Sequence, residues 1–118
     1  MGANSRLVLY GNSVMLAGIA TELQRHHRFD LITLEPGPPD ALHRICALEP
    51  RAVLFDLAAL PPDSIVWLLR ERPGLLLAGL DPSSDQVLLL SCRRERAVAP
   101  ADLLEMIDRE IEKRKEEV

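Results

Sequence analysis

The chain has 118 residues, 47% of them apolar, which is enough for one hydrophobic core and one domain spanning residues 1–118. Its formal net charge of −4 excludes the broad basic surface by which nucleic-acid binders displace counterions from phosphates. No apolar run approaches the roughly 20 residues of a membrane span, Met1-Gly2-Ala3-Asn4-Ser5-Arg6 carries no apolar leader, and Cys46 and Cys92 lack the spacing of a disulfide framework, so a cytoplasmic chain with neither membrane nor nucleic acid as partner is expected.

Short aliphatic runs alternate with amphipathic segments, the pattern of βαβ units around a largely parallel sheet. The first strand is expected over residues 6–10 and ends in Gly11-Asn12-Ser13, without a carboxylate. Ser13 to Arg25 then places Leu16, Ile19, Ala20 and Leu23 at helical spacing, with Glu22 and Gln24 turned away. A second strand over 29–34 leads into Pro36-Gly37-Pro38-Pro39. Asp40 next joins the first turn of a helix that buries Ala41, Ile45 and Leu48 and is stopped by Pro50. The third strand, 51–56, closes in Asp56, and the third helix runs from about Pro62 to Arg72 on a core face of Ile65, Leu68 and Leu69.

A fourth strand over 75–80 is followed by Asp81-Pro82-Ser83-Ser84-Asp85, too short for the crossover that parallel neighbours need. The fifth strand, 86–91, is therefore expected to be antiparallel, the returning arm of an edge hairpin. A short further strand is expected over Arg94 to Val98, with the charges of Arg93-Arg94-Glu95-Arg96 guarding the sheet edge. Pro100 and Asp102 suit the first turn of a last helix running to residue 118, with Leu103, Leu104, Ile107 and Ile111 as its expected packing stripe. Its last turns should project past the sheet, because a helix of that length outreaches a short strand. The expected fold is a three-layer α/β domain, flavodoxin-like or receiver-like, whose mixed five-stranded sheet has an antiparallel edge hairpin.

Asp56 stands at the carboxyl end of a central parallel strand, the place where doubly wound folds bind ligands or do chemistry. Gly11-Asn12-Ser13 opens a helix, so its backbone N–H groups could receive an anion across the crevice from Asp56, as in a small-anion or nucleotide sensor; Asn12 or Ser13 could equally cap the helix. Gly11-Asn12-Ser13 also resembles the Gly-Asp-Ser nucleophile block of small esterases, with Asp40 and His43 at the spacing of an acid and a base, but that pair lies mid-chain and His43 falls on a solvent face. His26-His27 diverge at a helix end and lack a supporting acid or thiol, so no metal site is expected. Cys46 reads as a small helix residue near the core, and Cys92, beside Arg93 and Arg94, is the candidate reactive thiol if exposed. Trp67 falls opposite Ile65, Leu68 and Leu69, which makes it a candidate exposed hot spot for a protein partner. Leu104, Ile107, Ile111 and Val118 approximate a seam that could pair with another copy in a homodimer.

Over nearly its whole length to about residue 80, the chain resembles the receiver domain of two-component response regulators. Leu7-Val8-Leu9-Tyr10-Gly11-Asn12-Ser13 with Leu16-Ala17-Gly18-Ile19 is similar to that family's first strand and helix, and Ala52-Val53-Leu54-Phe55-Asp56 to the strand bearing its phospho-accepting aspartate. The resemblance implies Asp56 as the phospho-acceptor equivalent. It also exposes departures: Tyr10-Gly11-Asn12 stands where the family's acid pair holds Mg²⁺, Ala78-Gly79 near its Thr or Ser, and Ser91-Cys92-Arg93 near its Lys. The resulting expectation is a degenerate receiver: a non-catalytic, cofactor-free module of bacterial-type signalling that binds a protein partner and is not phosphorylated.

Overall fold

The computed structural model describes residues 5–116. Its order is β1 (Ser5–Tyr10), α1 (Val14–His26), β2 (Phe29–Leu34), α2 (Ala41–Ala47), β3 (Ala52–Asp56), a 3₁₀ turn (Leu57–Ala59), α3 (Pro62–Glu71), β4 (Leu76–Asp81), β5 (Gln86–Leu90) and α4 (Pro100–Glu116). The strands form one five-stranded sheet in the order β2-β1-β3-β4-β5. The first four are parallel neighbours and β5 returns antiparallel to β4, as the short turn between them requires.

Alternation along the strands divides the core in two. Val8, Tyr10, Val53, Phe55 and Leu77 point to one face, where Ala41 and Ile45 of α2 and Leu68 of α3 bury them. Leu9 and Leu80 point to the other and pack with Leu16 of α1, joined by Met15, Ile19 and Ala20. In α1, α2 and α3 the stripes read from the sequence are among the residues that pack, Leu23 of α1 excepted. Ser13 starts α1 by accepting the Leu16 N–H on its hydroxyl at 3.1 Å, and Asp63 lies in the first turn of α3, where a negative charge suits the helix dipole.

The β4–β5 turn is built by Asp81, whose carboxylate accepts the Ser83 N–H and hydroxyl at 3.1 and 2.6 Å and the Ser84 hydroxyl at 2.8 Å. Asp85 then takes a left-handed conformation, φ 54°, that aspartate tolerates better than most residues.

Two expectations are corrected. No strand forms over 94–98: the chain there is irregular, because Arg93 and Glu95 turn to ion pairs with Glu110 and Arg109 on α4, and Arg94 reaches the Arg70 carbonyl. Trp67 is not an exposed hot spot but is partly buried against the larger core cluster. α2 lies beside α3, and His43 meets the indole edge-on with ring centroids 5.1 Å apart. The large apolar residue that α3 exposes is instead Val66, at 53%. Val118, the last residue of the expected self-pairing seam, lies outside the described residues.

The C-terminal part is covered differently from the rest. Here a further expectation is corrected: Leu103, Leu104, Ile107 and Ile111, read as the packing stripe of the last helix, are all exposed, and no side chain of α4 belongs to either core cluster, because no sheet face lies against the helix. The radius of gyration, 16.4 Å, exceeds the about 13.5 Å of a fully packed domain of this length, consistent with a helix standing off the sheet.

Candidate functional site

β1 and β3 are adjacent and in register, Tyr10 beside Phe55, so the residues leaving them, Gly11-Asn12-Ser13 and Asp56, meet at the carboxyl edge of the sheet. From there α1 folds over one face and α2 over the other. This is the topological switch point where open α/β sheets offer a crevice.

Asp56 is only 8% exposed, and both its oxygens are engaged. Oδ2 accepts the backbone N–H groups of Asn12 and Ser13, each at 3.0 Å, and Oδ1 accepts the Ser13 hydroxyl at 2.5 Å. That hydroxyl also accepts the Leu16 N–H, so Ser13 relays the carboxylate to the first turn of α1. Asp56 thereby satisfies amides at the start of α1 that would otherwise need water or a ligand. The carboxylate approaches so closely because residue 11 has no side chain. A Cβ on Gly11 would fall 2.3 Å from Asp56 Oδ2, and its φ of 145° is disfavoured for any other residue.

The four residues expected around the crevice are therefore brought together, in a way that changes what they can do. The N–H donors that would receive an anion already hold a carboxylate of this chain, and an incoming anion would have to displace it against like charge. Beside the lock lies an open cavity of about 250 Å³, lined mainly by Leu9, Leu16, Ala17 and Ala20, with Asn12, Ser13 and Thr33 at its margin. Ser13 is likewise engaged on both sides. The His43 ring lies against Trp67, and no hydrogen bond among the described residues links it to Ser13.

The remaining receiver-like positions do not converge on Asp56. Ala78 and Gly79 lie inside β4, with Leu80 opposite Asp56, and a Cβ on Gly79 would fall 2.5 Å from the Leu57 side chain. Ser91-Cys92-Arg93 follows a strand that runs the other way. The Gly74 N–H donates to the Cys92 carbonyl at 2.9 Å, which fixes that segment at the opposite end of the sheet from Asp56. Among the described residues, no three His, Cys, Asp or Glu are grouped to hold a metal ion. His26 and His27 are exposed at the end of α1, and His27 adopts φ 53°.

Cys46 packs against the larger core cluster, and burial pushes its thiol pKa above the ordinary value, opposed by the charge of Arg72. That suits a packing thiol. Cys92 is half-buried beside β4. Among the described residues no helix is long and apolar enough to cross a membrane.

The pairing of Asp56 with Ser13 was the feature hidden from sequence reading. Its only trace was that two strand-like runs end in complementary residues, a carboxylate in one and a glycine followed by donors in the other. Comparison with known proteins gives no match to a family model, a curated protein or a solved structure.

Proposed function

We propose that the chain is a receiver-like protein-interaction module that works without phosphoryl transfer. The reading is supported by a mixed sheet with helices on both faces, compatible with a three-layer α/β fold, and by Asp56 at the carboxyl end of β3, where the receiver resemblance implies the acceptor. The single observation carrying the reading is the engagement of both Asp56 oxygens by Asn12 and Ser13. In-line attack on a phosphoryl group needs a free carboxylate oxygen and cations to neutralise transferred charge. Here the carboxylate is spent on the start of α1. Glycine and asparagine stand in place of the acid pair, and reversal of β5 carries Arg93 to the far end of the sheet. A group frozen in this way serves the scaffold, and the remaining business of such a domain is its surface.

Incubation with acetyl phosphate and Mg²⁺, followed by intact mass measurement, tests this directly. The parent chain is expected to keep its mass. A stable gain of one phosphoryl group in the parent and none in Asp56→Asn would replace the proposal with a phosphorylation switch.

A further inference from the structure

The free edge of β5 is unlike the other edge of the sheet. Gln86-Val87-Leu88-Leu89-Leu90 contains neither charge nor proline, the usual guards against edge-to-edge pairing, whereas β2 at the opposite edge carries Asp30. The charged run that should have shielded β5 forms no strand. Among the described residues β5 pairs only with β4, and Val87, Leu88 and Leu89 are 47%, 50% and 65% exposed. An apolar strand with a row of unpaired backbone groups is a template for another strand.

We propose that a second copy of this chain occupies that edge, β5 against β5, antiparallel about a two-fold axis, merging two five-stranded sheets into one. The direction follows from charge. Each strand has the acidic turn of Asp81 and Asp85 at its start, and beyond its end a cluster in which Arg93, Arg94, Arg96 and Arg109 outnumber Glu95 and Glu110. Antiparallel pairing sets the acidic end of each copy against the basic end of the other, whereas parallel pairing sets like against like. With Leu88 on the axis, Leu88 faces its own counterpart and Val87 faces Leu89 of the second copy, so residues on one face of the sheet stay on one face. Such an interface is isologous and closes at two copies rather than propagating.

Area decides whether the strand suffices. A stable interface buries about 800 Å² per partner, more than a five-residue edge supplies. Further apolar surface is offered by α4, whose middle is fastened just past the end of β5 by Arg93 to Glu110 at 2.8 Å and Arg109 to Glu95 at 2.7 Å. Its stripe of Leu103, Leu104, Ile107 and Ile111 is exposed as well, and with the β5 side chains these half-exposed groups offer at most on the order of 500 Å² per copy. That sum falls short of a standard interface, so the expected dimer is weak and reversible.

This inference rests on the sheet edge and not on the reading of Asp56, so phosphorylation of Asp56 would overturn the proposed function and leave it standing. Sedimentation equilibrium of the full chain from about 1 to 200 μM is expected to show a mass rising from 13.2 kDa towards twice that value. Leu89→Lys places a guard charge on the edge at an exposed site and should weaken association at least about tenfold, with an unchanged circular dichroism spectrum. The arrangement itself is read by oxidation of Leu88→Cys in a Cys46→Ala, Cys92→Ala background. Cysteines facing across the axis are within disulfide reach and should give a covalent dimer, while Val66→Cys on α3 should not. A chain monomeric throughout the range, a Leu89→Lys dimer as tight as the parent, or equal cross-linking of both cysteine variants would each overturn the proposal.

Discussion

β3 and β5 are both five-residue strands of mostly aliphatic side chains, yet every residue of Ala52–Asp56 is buried or half-buried while Gln86–Leu89 is exposed. Composition does not separate them; neighbours do. β3 has a strand on each side and helices over both faces, so Val53 and Phe55 are 0% exposed. β5 follows a tight turn, which brings no crossover helix with it, and the helix that comes later stands away from the sheet. Stability in this molecule therefore belongs to the β1-to-β4 body, and the hairpin with α4 carries apolar surface that the fold itself does not use.

The largest expected effect comes from forcing that contrast with two truncations. Phe55→Ala should cost about 3–5 kcal/mol, because it opens a cavity in a close-packed cluster. Leu89→Ala, at 65% exposure, should change monomer stability by no more than about 0.5 kcal/mol. Urea unfolding at low protein concentration, with equal slopes for the two variants, makes the comparison. Equal losses would mean that β5 is part of the stabilising core.

Next in size is the lock between β1 and β3. Gly11→Ala drives a Cβ against the Asp56 carboxylate in a disfavoured backbone conformation, and about 2–4 kcal/mol of destabilisation is expected. Asp56→Asn keeps the shape but loses the charge from bonds to Asn12 and Ser13, for about 1–3 kcal/mol. Because the two changes act on one contact, they should not add: with Asp56→Ala as background, Gly11→Ala should cost less than it does in the parent. Strict additivity in that double-mutant cycle would show that Gly11 is needed for its backbone angle and not for room.

How much of this was legible in the sequence depended on range. The stripe of Leu16, Ile19 and Ala20, though not its fourth member Leu23, the end of α2 ahead of Pro50 and the reversal of β5 after Asp81-Pro82-Ser83-Ser84-Asp85 are local, and periodicity and turn chemistry placed them. Trp67 was misplaced because a helical wheel gives direction but neither the reach of an indole nor the presence of α2, which brings His43 to its edge. The strand over 94–98 failed for a similar reason: its charges found partners on α4, 14 to 17 residues away, and no strand lay alongside to pair with. Asp56 and Gly11-Asn12-Ser13 were read as one crevice, but bonds spanning 43 and 44 residues have no signature that would tell a lock from an open site.

The smallest effect belongs to the hairpin and is a matter of pH. Asp81 lies at the surface, half-exposed, and its pKa is held below the ordinary 3.8 by the Ser83 hydroxyl, then the Ser84 hydroxyl, then the Ser83 N–H. A carboxyl whose folded pKa is depressed contributes stability that is fully present above its unfolded pKa and is lost as pH falls through the folded value. The turn should therefore be indifferent to pH from neutrality down to about 4 and loosen only below it. Hydrogen exchange at the β4 and β5 amides tests this, because those bonds depend on the turn while the β1–β3 ladder does not. Asp81→Asn should exchange faster than the parent at pH 6 and converge with it in strong acid, where the parent carboxyl is protonated as well. A parent turn that already loosens between pH 6 and 4.5 would mean that Asp81 titrates at or above its ordinary value. The serine hydroxyls would then be bystanders, and the orientation of the exposed strand would be left to the β4–β5 ladder alone.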